Sequence, residues 1–107
     1  MDEQRFRQRV ERVYGRLMEV FDALDVEEAD LENAGDVVTI LFRGGSRCVI
    51  NMQTPTRQIW LAAQNRGWHF DYDEQTQRWL DDRGSGQELF ALVSSVTSST
   101  IGIDLRF

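Results

Sequence analysis

From Glu28 to Asp82 the chain is written in strand-length pieces with turn signals between them. "EADLEN" alternates, with Ala29 and Leu31 on one face and Glu28, Asp30 and Glu32 on the other. "VVTILF", "RCVINM", "RQIWLAA", "WHFDYD" and "RWLDD" follow, rich in β-branched and aromatic residues. "AGD", "RGGS", "TPT", "NRG" and "EQTQ" separate them. "RGGS" reads as a hairpin turn of the Gly-Gly kind. Pro55 cannot donate to a ladder and so falls between strands or at an edge. Consecutive strands joined this way make one antiparallel sheet.

Helices flank the strands. Phe6, Val10, Val13, Leu17, Phe21 and Leu24 recur at spacings of three and four, so residues 3–24 form an amphipathic helix with one apolar stripe. Arg5, Arg9, Arg12, Arg16, Glu19 and Asp22 lie largely off that stripe. After the loop "DRGSG", Ser85 and Glu88 read as an S-x-x-E capping box, and Leu89, Leu92, Val93 and Val96 supply a second stripe. The tail "TIGIDLRF" alternates Ile101, Ile103, Leu105 and Phe107 and is expected to lie extended against the core. Each helix has a single stripe to bury, so both cover the same sheet face. The expected fold is α+β: a two-layer α/β sandwich with N- and C-terminal helices on one face of an antiparallel sheet. The 107 residues suffice for one domain, 1–107.

The other face is left to solvent, and Trp60 belongs to it. Side chains alternate along a strand. If Ile59, Leu61 and Ala63 point inward, then Gln58, Trp60 and Ala62 point outward. An exposed tryptophan among glutamines and an asparagine is a candidate contact for a partner. Asn51, Gln53 and Gln58 are expected on the same face.

Charge is unevenly spread. The net charge is −6, which argues against nonspecific binding to nucleic acid. Residues 1–18 hold five arginines against three acids, whereas residues 19–36 hold eight acids and no base. Glu19 and Asp22 are three apart on a helix and share a face. Carboxylate oxygens are hard ligands suited to Fe³⁺, Mn²⁺, Ca²⁺ and Mg²⁺. There is neither a D-x-D-x-D-G calcium loop nor a Glu-x-x-His pair. Exposed monodentate carboxylates hold metal weakly and exchangeably. From composition alone, such a run is more often a solvated face.

Enzyme signatures are missing. With one histidine, any serine–histidine–acid set would hang on His69, and between Trp68 and Phe70 that residue is expected to face solvent. "RGGS" precedes a strand and is too short for a phosphate loop. Cys48 is the only cysteine, which excludes an internal disulfide, and its alternation with Ile50 and Met52 makes it a buried, inert thiol. Trp68, Trp79, Phe70 and Tyr72 read as packing residues. No membrane span or signal peptide is evident, and a cytoplasmic location is expected.

The stretch N-x-Q-x-P-x-x-Q-I-W-L-A, Asn51 through Ala62, is similar to the signature of the frataxins. G-x-H-F-D (Gly67, His69, Phe70, Asp71), a strand carrying Trp79, and D-x-x-G before the last helix resemble the bacterial branch. The resemblance covers essentially the whole chain. It implies a non-enzymatic protein that binds iron (Fe²⁺/Fe³⁺) weakly and reversibly, as iron chaperone or iron-dependent regulator. The partners it implies are the cysteine desulfurase and the scaffold of iron–sulfur cluster assembly. It implies a metal ridge of Glu19, Asp22, Asp25, Glu28, Asp30 and Glu32, and a partner contact of Asn51, Gln53, Gln58 and Trp60. The expected state is a monomer, with iron-induced oligomers. A ferroxidase and a metal-independent acidic interaction module are the competing readings. The chain departs from the family's pattern at Val20 and Ala23, where carboxylates are often found.

Overall fold

Asp2 opens the first helix: in the computed structural model, which describes residues 1–107, its carboxylate accepts the Arg5 N–H at 2.8 Å. α1 runs from Glu3 to Asp22 and buries Phe6, Val10, Val13, Leu17 and Phe21, the expected stripe. It stops two residues short of the expected end, and Leu24 only flanks the core. Tyr14 joins the buried face because its hydroxyl finds an acceptor, donating to the Asp36 carbonyl at 2.6 Å. That bond ties the helix to the first hairpin turn.

Six strands follow: β1 (Ala29–Ala34), β2 (Val37–Phe42), β3 (Arg47–Gln53), β4 (Gln58–Ala63), β5 (Arg66–Asp73) and β6 (Arg78–Asp81). They form one sheet in the order of the chain, every neighbouring pair antiparallel. α2 (Leu89–Ile101) closes the chain. The fold is thus the α+β arrangement expected, with both helices on one face.

Alternation decides which face. Val38, Ile40, Cys48, Ile50, Ile59, Leu61, Trp68, Phe70 and Trp79 are all buried beneath the helices, with Leu89, Leu92, Val93 and Val96 of α2 against them. Each such side chain removed from water contributes on the order of 1.5–3 kcal/mol. The tail residues Ile103, Leu105 and Phe107 pack on the same core, Phe107 stacking on Phe90 with 4.6 Å between ring centres.

Three local expectations are corrected. Ser85 is not the cap of α2. Glu88 is, its carboxylate accepting the Phe90 and Ala91 N–H groups at 2.9 and 3.0 Å. Ser85 instead donates to the buried Asp81, whose carboxyl that bond holds below the usual carboxylate range. The turn between β4 and β5 is Gln64–Asn65, not "NRG". Both residues lie in the left-handed region, at φ of 54° and 60°, as a tight two-residue hairpin turn requires. Finally, Glu28 lies in the turn before β1 and is not a strand residue.

Candidate interaction face and acidic edge

The sheet register brings the outward polar residues together. Asn51 faces Trp60, which faces His69 on the next strand, and Gln53 faces Gln58, which faces Asp71. The four expected contact residues therefore occupy adjacent positions on β3 and β4. All four are half-buried, held between their neighbours on the sheet.

Trp60 is less free than its phase implies. Its indole N–H donates to the Gln58 Oε1 at 2.9 Å, and its ring stacks on His69 with centres 4.1 Å apart and planes 12° from parallel. The Gln58 amide donates in turn to Asp71 Oδ1 at 3.0 Å and Asp82 Oδ2 at 3.1 Å. His69 Nδ1 stands 3.6 Å from the same Asp82 oxygen. Trp60, Gln58, His69, Asp71 and Asp82 thus form one connected network on an otherwise open face. It fixes the ring's rotamer and leaves its remaining surface toward solvent. Two carboxylates are drawn together around a neutral amide, so the network is net negative. Beside the ring, Val49, Ala62 and Gly67 line a shallow depression of about 230 Å³.

Sequence reasoning placed His69 in solvent and did not single out Asp71 or Asp82 as contact residues. Asp71 was within reach, since it shares its outward phase with His69 on one strand. Asp82 was not, because it follows the end of β6 and meets Gln58 only through the assembled sheet.

The acidic segment divides. Glu19 and Asp22 sit exposed on the last turn of α1, where the helix dipole is negative and the turn itself holds no basic residue. Asp25 serves the turn that follows: its carboxylate accepts the Glu27 N–H at 2.9 Å and its carbonyl accepts the Glu28 and Ala29 N–H groups. Glu28 pairs with Arg43 at 3.0 Å, and Glu19 with Arg16 at 3.0 Å. Both pairs are exposed and worth at most about 1 kcal/mol each.

Asp30 and Glu32 project from β1 on the side away from the helices, sharing a shallow depression with Thr39, Leu41 and Arg47. Ala29 and Leu31, which alternate with them, turn toward the core. The helix carboxylates and the strand carboxylates therefore stand on opposite sides of the β1 backbone. No group of three or more His, Cys, Asp and Glu side chains is placed to hold a metal ion. A cation here would meet one or two exposed carboxylates at a time, with water completing its shell.

Residues 1–103 match a family model described as a frataxin-like domain. The iron-sulfur cluster assembly protein CyaY of Pseudomonas aeruginosa is 41% identical over 107 residues, covering 100% of this chain and 97% of that protein. The protein of the same name from Azotobacter vinelandii is 39% identical, covering 100% and 96%. Among solved structures, the frataxin of Psychromonas ingrahamii superposes with a TM-score of 0.89 at 28% identity, over 98% of this chain and 96% of that one. The trimeric frataxin of Saccharomyces cerevisiae superposes with a TM-score of 0.71 at 24% identity, over 96% and 88%, a likeness of fold alone.

Proposed function

The chain belongs to the frataxin-like family, and from that premise we propose that it is an iron-binding protein of iron–sulfur cluster assembly that sets the rate at which the cysteine desulfurase and scaffold build clusters. It acts without catalysis of its own. The observation that carries this reading is the division of labour across the sheet: one face is wholly spent on the core, while the other keeps a fixed tryptophan in a polar network that the fold does not require. The open face suits a scaffold contact made by Asn51, Gln53, Gln58 and Trp60. The carboxylates of α1 and β1 suit a basic surface on the desulfurase, and their exposure suits iron that is taken up and released quickly. Relatives named for cluster assembly along their whole length support the same assignment.

The test is cluster formation on a purified scaffold with purified desulfurase, while iron and this protein are varied separately. The expected result is a rate that depends on the protein, with the dependence itself changing with iron. Acceleration identifies an iron donor, and slowing that grows with iron identifies a regulator. An effect identical at all iron concentrations would leave only a metal-independent module. Glu19→Arg with Asp22→Arg should abolish desulfurase binding, and Trp60→Ala should weaken the scaffold contact.

A further inference from the structure

On the helix side of the molecule, α1, the β5–β6 hairpin and the start of α2 leave a groove of about 380 Å³ between them. Its apolar lining is Val13, Tyr72, Trp79 and Phe90. Two of these rings meet edge-on, Tyr72 against Trp79 at 5.2 Å and 70°, and Phe90 is backed by Phe107. Tyr72 and Phe90, half-buried, offer the accessible apolar surface, and the buried Val13 and Trp79 lie beneath it.

Three arginines of α1, Arg9, Arg12 and Arg16, stand at the rim. They are three of the five arginines in residues 1–18, none of which the iron reading uses. The three are not equivalent. Arg9 is locked to Glu74 through both guanidinium nitrogens, at 2.7 and 3.1 Å, and lies over the Tyr72 ring at 4.1 Å. Arg16 reaches Glu19. Arg12, exposed between them in sequence, has no carboxylate partner. A mostly apolar concavity of this size with one uncommitted charged group at its rim has the form of a small-molecule site.

The geometry points to this groove as a binding site for a small organic anion: a planar apolar body against Tyr72 and Phe90, and one carboxylate or phosphate on the Arg12 guanidinium. A guanidinium takes either oxyanion through paired N–H donors. The sign of the ligand follows from charge complementarity. The chain as a whole carries −6, so an anion has no reason to approach it except where guanidiniums reverse the local field.

The experiment uses the intact protein, ¹⁵N-labelled, titrated with 2-naphthoate, 2-naphthyl phosphate and the neutral 2-naphthamide. Saturable shifts are expected in the Trp79 indole and in the amides around Val13 and Phe90. The better of the two anions identifies the oxyanion preferred. Arg12→Gln, a change at an exposed position, should raise Kd at least about threefold, the yield of one partly exposed charge pair, and 2-naphthamide should bind more weakly by a similar factor. Arg47→Gln, on the far face of the sheet, should leave Kd unchanged. Absence of saturation, shifts centred on the open sheet face, or binding indifferent to both Arg12→Gln and loss of the ligand's charge would overturn the assignment.

Discussion

Replacing Trp60 with alanine removes a ring that stacks on His69 and bonds Gln58 on the face away from the helices. The expected loss of stability is therefore about 1 kcal/mol or less, against roughly 3–5 kcal/mol for truncating a core tryptophan such as Trp79. Scaffold binding should fall by about 2 kcal/mol or more. Thermal melting and a binding titration on the same variant separate the two. A melting loss as large as that of Trp79→Ala would mean the ring is structural. Cys48 supplies a second residue-level test. Burial alone pushes its thiol up to about 12, so the folded chain keeps a proton that the unfolded chain releases near pH ~8.5. Above that pH the unfolded state binds fewer protons, and stability falls by up to about 1.4 kcal/mol per pH unit until the folded thiol also ionises. Tyr14, likewise raised by burial, adds to the loss from about pH 10 upward. Urea unfolding at neutral pH and at higher pH reads this slope. At neutral pH, a disulfide reagent should modify Cys48 only at the rate of unfolding, and modification at the rate of a free thiol would contradict its burial.

Among the elements, the helix ends carry the clearest consequences. Glu88→Ala removes both side-chain bonds that cap α2 and should cost about 1 kcal/mol in chemical denaturation, whereas a cap at Ser85 would leave this variant unchanged. Asp22→Lys places a cation at the negative end of α1 and should stabilise the protein by about 0.3–1 kcal/mol while weakening desulfurase binding. A gain in stability bought with a loss of binding is the mark of a surface kept for a partner. These termini also show what could be read from the chain. Helix stripes and strand phases were legible because burial repeats them: Ile59, Leu61 and Ala63 went inward and Gln58 and Trp60 outward as alternation demands. The α2 cap was misplaced because Ser-x-x-Glu fits a cap at either end. Only the assembled loop shows that Ser85 is taken by Asp81. The acidic run looked like one ridge because sequence proximity hides the β1 backbone, which puts Asp30 and Glu32 on the side opposite the helix layer.

At the scale of the molecule, the acidic excess behind the net charge of −6 lies in residues 19–36, and carboxylates ~6 Å apart in water repel by roughly 0.7 kcal/mol per pair. A cation bound only by the folded state should raise the melting temperature by mass action. Fe²⁺ or Ca²⁺ is therefore expected to stabilise the protein beyond monovalent salt of equal ionic strength. Asp30→Asn with Glu32→Gln should be more stable without metal and gain less from it. An unchanged metal shift in that variant would place the binding elsewhere. The strand order carries a different consequence. Each strand of the sheet pairs with the one before it, so β1 to β6 can close hairpin by hairpin across turns of a few residues, at little cost in chain entropy. The first helix has no such neighbour. During synthesis its apolar stripe leaves the ribosome before any strand exists to cover it, and it must wait for the sheet to be made. The Tyr14 hydroxyl meets the Asp36 carbonyl in the first hairpin turn, 22 residues along the chain, which makes that turn an early anchorage. Nascent chains halted once β2 and β3 have cleared the ribosome should then show α1 gaining protection from proteolysis before β6 has emerged.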